Sequence, residues 1–457
     1  MSAADWPATP RCRAHQPGTG KAAIFAVLAA MSAVVLDAGM TTAALPSMAR
    51  AFGIAPAHAV LAMSAYQAAL VMALLPGAAI GERFGYRRVF LAGVAIFMLA
   101  SLASALAPSF PILLVSRFVQ GLGGAAILAL GVALMRFTVS DARLGQAIGW
   151  NAVTVALSAA AAPALAGLLL SCSSWHWIYL ASLPLGATVL FFGHALPCIA
   201  RRLDRLKPAR FGLNAAGFGL LVAGASSIAR GGLVPAAFML AGAICIAVLV
   251  RLDRGADRPL IPTDLLAIAR FRASSAASLV LFTGQSAALI ALPFHLQGAY
   301  GLSPGMAGAL LMAWPLSVAV TTTAARRWII TSPTPVACAV GALVLSAGLI
   351  GLALIWVRTG LVPLALATCL CGAGFGVFQV ANNRSMFLAA PPQRSGAAGA
   401  LQGMARVSGQ TAGAILAGLL LATFLPSAAG RTVFAAGAAL CVCAGLLSHF
   451  GHRSRNK

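Results

Sequence analysis

The chain has 457 residues, of which 60% are hydrophobic and only 9% are charged. Because about a quarter of the residues in a soluble domain are charged, this composition excludes a soluble globular protein and indicates an integral membrane protein. The net charge of +23 does not indicate nucleic-acid binding, since the basic residues lie in short gaps between apolar runs and form no basic face of a soluble domain.

The nine cysteines form no CxxC pair, and most of them lie inside apolar runs. They therefore predict neither a metal site nor a disulfide framework, and we expect no cofactor. The first 21 residues lack the short apolar core and small-residue cleavage site of a secretory signal. We therefore expect the first hydrophobic run to be retained.

Charge clusters and Gly and Pro breaks divide the chain into fourteen predicted spans, each near the ~20 apolar residues that a bilayer crossing requires. The predicted bounds are 22–44, 57–79, 88–107, 111–133, 145–168, 175–196, 212–229, 233–250, 274–297, 304–325, 335–356, 361–383, 397–420 and 432–450. An even number of spans places both termini on one side. With the termini in the cytoplasm, 25 of the 31 Lys and Arg lie in cytoplasmic segments, as the positive-inside rule requires.

The first span contains Asp37, the only acidic residue that we place within a span. An ionised group there costs at least ~2.5 kcal/mol, so it is a candidate functional group, with a structural hydrogen-bonding role as the alternative. Arg117 in the fourth span is predicted at the same depth, because the two residues lie ~6 and ~7.5 Å toward the same side of their helix centres. An adjacent arginine favours the ionised carboxylate and desolvation favours the protonated form, so a rearrangement that changes both can load and unload a proton.

The connection between the second and third spans, residues 76–93, reads PGAAIGERFGYRRVFLAG. It predicts a two-residue turn around Gly85 in which Glu82 can pair with nearby arginines. A turn that only satisfies the positive-inside rule is the alternative. The fourth span carries a small-residue surface after Gln120, which permits close helix packing.

The fifth span combines small residues with Pro163, a pattern typical of a kinked helix that rocks against a neighbour. The aromatic residues Trp175, Trp177 and Tyr179 follow it and are expected to form a belt at the membrane interface.

Long basic connections flank the seventh and eighth spans, whose cores carry no ionisable residue. This favours a lipid-facing bridging role for that pair. The sequence predicts an all-α membrane protein with a cytoplasmic N-terminal segment, a six-helix bundle, basic linkers with two additional helices, a second six-helix bundle and a cytoplasmic tail. These regions are residues 1–21, 22–196, 197–273, 274–450 and 451–457. Two six-helix halves around a central site are a recurrent transporter design.

The motifs of these spans resemble the major facilitator superfamily, specifically its fourteen-helix drug:proton antiporter branch. LDAGMTTAALPSMARAFG, with Asp37 and Pro46, is similar to the first-helix motif of that branch. GERFGYRRVFLAG and SRFVQGLGGAA are similar to the superfamily's loop and fourth-helix motifs, and the fifth span resembles the antiporter motif. FGVFQVANNRSMF and GAAGALQGMARVSGQTAGA resemble late-helix patterns of the branch. Glu82 departs from the usual Asp of the loop motif, and Ser158, Ala162 and Ala166 replace glycines of the antiporter motif.

The resemblance implies the major facilitator fold, with two six-helix bundles and two central linking helices, and a proton-driven exporter of lipophilic drugs or other amphiphiles. Asp37 would exchange the proton and Arg117 would adjust its affinity. The residues implied as a conformational gate are Glu82, Gly85, Arg87, Arg88, Gly149, Pro163 and Gly167. The polar residues that we place in a substrate cavity are Gln67, Gln120, Asn151, Gln285, Gln379, Asn382, Gln402 and Arg406, with hydrogen bonding between helices as the alternative for about half of them.

With Asp37 negative and Arg117 and Arg406 positive, the charges within the spans sum to +1. A monocationic or neutral lipophile fits this sum better than a dication, and an organic anion stays open. Arg406 has the alternative of capping a helix end or contacting carbonyls.

The expected partners are protons, a small amphiphilic substrate and the lipid bilayer, with no nucleic acid, metal or obligatory protein partner. The expected location is the plasma membrane, which is the inner membrane in a Gram-negative bacterium. The alternatives are proton-coupled export or uptake of a specific metabolite, and a sensor or scaffold with an inactive transporter fold. A membrane enzyme is disfavoured, because one intramembrane carboxylate cannot form a catalytic dyad.

Overall fold

The computed structural model describes residues 19–139, 141–199, 207–228, 231–254, 259–355, 360–391 and 394–450, and every regular element in these ranges is helical. The helices are α1 (Thr19–Phe52), α2 (Pro56–Ala59), α3 (Leu61–Phe84), α4 (Tyr86–Ala105), α5 (Phe110–Thr138), α6 (Asp141–Cys172), α7 (His176–Leu180), α8 (Leu183–Phe192), α9 (Pro208–Ser226), α10 (Val234–Asp253), α11 (Thr263–Ala267), α12 (Ala269–Gly298), α13 (Pro304–Ala324), α14 (Arg326–Thr331), α15 (Thr334–Leu354), α16 (Leu361–Ala389), α17 (Ser395–Thr423) and α18 (Pro426–Phe450). Prolines stand in the first turn of many of them, where a missing N–H costs no helical hydrogen bond.

Thirteen segments of the described chain are long and apolar enough to cross a membrane. The prediction of a multi-pass helical membrane protein is thereby confirmed. The helix α9, which corresponds to the predicted span 212–229, is not among the thirteen, so the fourteenth span stays a prediction.

One local prediction is corrected by the structure. The turn around Gly85 has one residue rather than two, because α3 ends at Phe84 and α4 begins at Tyr86. Gly85 adopts φ +100°, a conformation that other residues rarely adopt. The predicted span 175–196 corresponds to the candidate span His176–Ala195, which consists of α7, α8 and a short 3-10 helix at Gly193–Ala195.

The early and late helices pack in the same order. In the first part of the chain α5 packs on α3 and α4, and in the second part α16 packs on α13 and α15. The two sets meet where α6 packs on α13, α3 on α17 and α1 on α12. We call the side at which α1 begins and α18 ends the termini face, and the opposite side the far face.

Contacts between the two sets close the far face. A Cβ atom on Gly167 of α6 would lie 3.0 Å from the carbonyl oxygen of Pro304 in α13, so the backbones of these helices touch. Arg50 at the end of α1 donates a hydrogen bond to Gln297 at the end of α12, with an Nη2 to Oε1 distance of 3.0 Å. Apolar side chains from both sets form one buried cluster beneath these contacts.

The central pair packs on the rest of the molecule through α9. Asn214 of α9 is fully buried and donates a hydrogen bond of 2.7 Å to the carbonyl oxygen of Met72 in α3. At the other end of the pair, Arg210 lies 3.0 Å from Asp253 of α10, whose second oxygen accepts the Ile261 N–H at 2.9 Å. Since α9 contacts both α3 and α17, only α10 fits the predicted lipid-facing position well.

Candidate functional site

Asp37 and Arg117 form a salt bridge inside the helical bundle. The Nη1 of Arg117 lies 2.7 Å from Oδ2 of Asp37, and both side chains have 0% exposed surface. The contact agrees with the shared depth that the sequence predicts for the two residues. Because each charge alone would be costly away from water, their pairing is what permits both to be ionised there.

Gln120 completes the hydrogen bonding of Asp37. Its Nε2 donates to Oδ1 of Asp37 at 2.8 Å, and its Oε1 accepts from Arg117. Arg117 and Gln120 are three residues apart on α5, so they project from one face of that helix toward α1. The carboxylate thus has one donor on each oxygen, and both donors come from the same helix.

The network extends from Gln120 to Ser101 of α4. The Nε2 of Gln120 lies 3.2 Å from Oγ of Ser101, which donates to the carbonyl oxygen of Tyr179 at 2.8 Å and lies 3.1 Å from Oγ of Ser182. All of these side chains are buried. The acid–base pair is therefore tied to α4 and to the break between α7 and α8.

Two tyrosine rings lie against the guanidinium of Arg117. Its Cζ atom is 4.4 Å from the centre of the Tyr66 ring and 5.3 Å from the centre of the Tyr179 ring. Cation–π attraction is strongest when the cation is away from water. The ring of Tyr66 reaches this position because Gly121 lets α5 approach the backbone of α3 at the carbonyl of Tyr66.

The network includes residues that the sequence did not reveal as functional. Tyr66, Ser101 and Ser182 carried no signal beyond their occurrence in apolar helices. The prediction that Trp175 and Tyr179 form an interfacial belt is wrong: Trp175 is 5% exposed and Tyr179 is 0% exposed, whereas Trp177 is 52% exposed. The short helix α7 turns Tyr179 inward, a break that the uniform apolar pattern did not show.

Gln120 and Asn382 both form hydrogen bonds between helices. Gln120 is fully buried on Asp37 and Ser101, and Asn382 is 1% exposed and donates to the carbonyl oxygen of Ser274 at 3.1 Å. The Oδ1 atom of Asn382 lacks a hydrogen-bond partner among the described residues, and the cavity role of both residues stays a prediction. Gln402 donates to Oδ1 of Asn383 at 2.8 Å and is only partly buried.

Gln67 and Gln285 are nearly buried, yet the Oε1 atom of each lacks a hydrogen-bond partner in the described part of the chain. The Oδ1 atom of Asn151 and the Nε atom of Arg406 also lack a hydrogen-bond partner among the described residues. Gln379 and Arg406 are partly exposed. These residues come from α3, α6, α12, α16 and α17, of which α3, α6, α12 and α17 pack across the junction of the two sets and α16 packs within the late set.

Six of the seven predicted gate residues fall into two groups. Glu82, Gly85, Arg87 and Arg88 lie at the α3–α4 connection, where a cavity of ≈ 390 Å³ lies between Gly85, Arg87, Arg88 and the chain at Cys198. Pro163 and Gly167 touch α13 on the far face, at Gly308 and Pro304. Gly149 is exposed and has open space around it, so no close approach requires a glycine there.

The described residues contain no group of three or more His, Cys, Asp or Glu side chains that could hold a metal ion. The functional groups of the site are therefore an ion pair, amides and hydroxyls, inside a bundle of membrane-spanning helices. An ion pair inside the spans of a protein built from two packed sets of helices is typical of membrane transporters.

Comparisons with known proteins identify its family. Residues 27–264 match the model of the Major Facilitator Superfamily. The chain is 36% identical over 412 residues to the "Uncharacterized transporter YebQ" of Escherichia coli K12, covering 88% of this chain and 89% of that protein. The chain belongs to the Major Facilitator Superfamily.

A second relative is the "Multidrug resistance protein Stp" of Mycobacterium tuberculosis, 26% identical over 402 residues and covering 86% of this chain and 74% of that protein. Among solved structures, peptide transporter POT in complex with sulfate superposes with a TM-score of 0.71 at 17% identity, covering 94% of this chain and 93% of that one. The structural likeness supports the fold alone, and the predicted major facilitator fold is confirmed.

Proposed function

We propose that this protein exports lipophilic or amphiphilic small molecules in exchange for protons, by alternating access between the two faces of the membrane. The observation that carries the proposal is the buried pair of Asp37 and Arg117, in which Gln120 satisfies the second carboxylate oxygen. The name of the relative Stp supports drug export. The termini face corresponds to the cytoplasm, as the distribution of basic residues favours.

The proposed coupling follows from the geometry of the pair. Protonation of Asp37 removes the negative charge that Arg117 faces at 2.7 Å, and a buried charge without its partner is strongly unfavourable. Arg117 must then find another partner or more water, so α5 and α1 must shift relative to one another. Loss of the proton restores the pair, and each proton transfer is thereby linked to a conformational step.

In this proposal the structure represents the conformation that is closed toward the far face. The contacts of Gly167 with Pro304 and of Arg50 with Gln297 must separate before a substrate can leave toward that face. Asp37 has no exposed surface in this conformation, so its proton must be exchanged in another one.

Transport into everted membrane vesicles with an imposed pH gradient tests the proposal, with a panel of lipophilic cations, neutral compounds and organic anions as probes. We expect at least one probe to accumulate in vesicles that contain the protein and to be released when a protonophore collapses the gradient. Vesicles without the protein are the control. Accumulation that is the same with and without the gradient would exclude proton-driven export.

A further inference from the structure

Arg406 is a charged residue inside a span, and no counter-charge faces it among the described residues. It lies eleven residues after the start of α17 at Ser395, about 16 Å along a helix of 1.5 Å rise per residue. None of the ion pairs or hydrogen bonds among the described residues includes its guanidinium, and its Nε atom is buried without a partner.

Other arginines at comparable places do have partners. Arg117 pairs with Asp37, Arg431 donates to the carbonyl oxygen of Ala353 at 2.6 Å, and Arg384 lies 3.4 Å from the carbonyl oxygens of two residues at the end of α14. The sequence left helix capping or carbonyl contacts open for Arg406, and the described structure shows neither. A charge within a membrane span is retained where it pairs or serves a function.

The contacts of α17 show which way Arg406 points. A Cβ on Gly409 or Gly413 would lie 2.5 Å from a carbonyl oxygen of α12, whereas one on Gly403 would meet Leu74 of α3. With 3.6 residues per turn, Arg406 lies in the angular sector between these two contact faces. Its side chain therefore points toward the space where the two helix sets meet.

Amides with unused hydrogen-bonding capacity lie near that space. On α3, Gln67 lies between Val60, which meets Gly418, and Leu74, which meets Gly403, so it is about one turn from the level of Arg406. Its Oε1 atom has no partner in the described part of the chain. Because the amide can rotate to present its NH₂ group, it can serve as a second donor to a bound acceptor.

In the part of the chain that the structure describes, no acidic group is available here to bind a cation. Asp37 is the only carboxylate in the interior of the described spans, and both of its oxygens already accept hydrogen bonds from Arg117 and Gln120. The pair of Asp37 and Arg117 is neutral as a unit, so Arg406 leaves one uncompensated positive charge. The earlier expectation of a monocationic or neutral substrate does not supply the missing negative charge.

We propose that Arg406 is the anion-binding residue of the substrate cavity and that the substrate is an amphiphilic organic monoanion, a carboxylate or a sulfonate. The inference rests on the proposed transport function and names its substrate class. The guanidinium binds two oxygens of the anion in a bidentate pair, Gln67 donates to the same headgroup, and the apolar part of the substrate lies against the aliphatic walls. The substrate thereby supplies the counter-charge of Arg406.

Equilibrium binding of three pyrene probes to the purified protein tests this assignment. The probes are pyrenebutyrate, its methyl ester and a pyrenylalkyl trimethylammonium ion, which share one aromatic body and differ in charge. We expect the wild type to prefer the carboxylate. Arg406→Gln is expected to weaken carboxylate binding about tenfold or more, because it removes the bidentate charged pair, and Arg406→Lys to weaken it less.

The matched control is Arg394→Gln, which removes the same charge from an exposed arginine paired with Asp264 on the surface and is expected to bind all probes like the wild type. Thermal unfolding of each variant verifies its folding, and Arg406→Lys provides a second variant if the glutamine variant does not fold. Carboxylate binding that is unchanged in Arg406→Gln would overturn the assignment. A wild type that prefers the ammonium probe, or binds none of the three, would overturn it as well.

The binding assay separates this inference from the proposed function, since it uses no pH gradient. Carboxylate binding through Arg406 without any gradient-driven transport would leave the anion site standing and reject proton-driven export. Gradient-driven transport of cations that Arg406→Gln does not change would support proton-driven export and reject the anion site.

Discussion

Asp37 and Arg117 are each other's only charged partner in the interior of the described spans. Removing one partner of a buried pair typically costs about 3 to 5 kcal/mol, because the other charge remains buried without compensation. The same side chains can be replaced together by neutral ones at a much smaller cost. This asymmetry makes the energetics of the pair testable apart from transport.

We predict that Arg117→Gln and Asp37→Asn each lower the thermal stability of the purified protein, and that the double variant recovers much of the loss. The physical reason is that each single variant leaves one buried charge and the double variant leaves none. Thermal unfolding in one detergent measures all four proteins. Additive losses in the double variant would show that the two side chains do not interact energetically.

A second prediction concerns the ring of Tyr66, which lies 4.4 Å from the Cζ of Arg117. Its hydroxyl has no hydrogen-bond partner in the described structure, so Tyr66→Phe is expected to be neutral or slightly stabilising. Tyr66→Leu removes the ring and is expected to destabilise by roughly 2 kcal/mol, the value of a desolvated cation–π contact. Equal stability of the phenylalanine and leucine variants would exclude a role for the ring.

The sequence predicted Asp37 and Arg117 well because membrane depth can be counted along a helix. Their shared depth needed only the positions of two residues relative to two span centres. Ser101 could not be predicted in the same way, because serine hydroxyls in apolar helices usually bond within their own helix. Tyr179 contributes its ring and its backbone carbonyl oxygen, which have no sequence signal. Their contacts depend on how α4 and the α7–α8 break are oriented against α5.

At the scale of helices, the interface between α6 and α13 is the one that we most specifically expect to open during transport. The interface is built from backbone, since a Cβ on Gly308 would meet the carbonyl oxygen of Pro163. Such interfaces separate without displacing long side chains. The sequence indicated the thin face of α6, but only the structure shows that α13 covers it.

A disulfide across this interface should block transport. A Cβ on Gly305 would lie 4.0 Å from the Cβ of Ser171, within the range of about 3.5–4.5 Å for disulfides. We predict that Ser171→Cys with Gly305→Cys, with the native cysteines replaced, loses transport on oxidation and regains it on reduction. Gly305→Cys alone in the same background is the control. Full transport by the cross-linked protein would mean that this interface does not need to open.

The sequence predicted two runs of six spans, but neither the order in which the helices pack nor the breaks within them. In the structure α5 and α16 occupy matching positions between their neighbours. The division at residues 196 and 274 stays a prediction. The placement of α9 against α3 and α17 was missed because its polar contact, from Asn214 to Met72, uses a backbone acceptor that has no sequence signal.

For the whole molecule, the number and orientation of the spans can be tested at the α9–α10 connection. If α9 crosses the membrane as α10 does, Leu233 lies at the far face, where it is 86% exposed. We predict that Leu233→Cys, with the native cysteines replaced, reacts with a membrane-impermeant maleimide in intact cells. Lys207→Cys is the control and should react only after permeabilisation. Labelling of both residues only after permeabilisation would contradict the fourteen-span arrangement.

The whole-molecule mechanism requires that substrate movement and proton movement share one set of conformational changes. Neutral Asn at position 37 mimics a permanently protonated carboxylate, so the site can no longer gain or lose a proton. The movement of substrate does not itself require that proton. Coupling and translocation therefore separate in this variant.

The most direct test compares Asp37→Asn with the wild type in proteoliposomes, using the probe that the vesicle panel identifies. We predict that the variant still exchanges labelled for unlabelled probe without a pH gradient, but no longer concentrates the probe when a gradient is imposed. Gradient-driven accumulation by Asp37→Asn equal to that of the wild type would contradict the central role of Asp37.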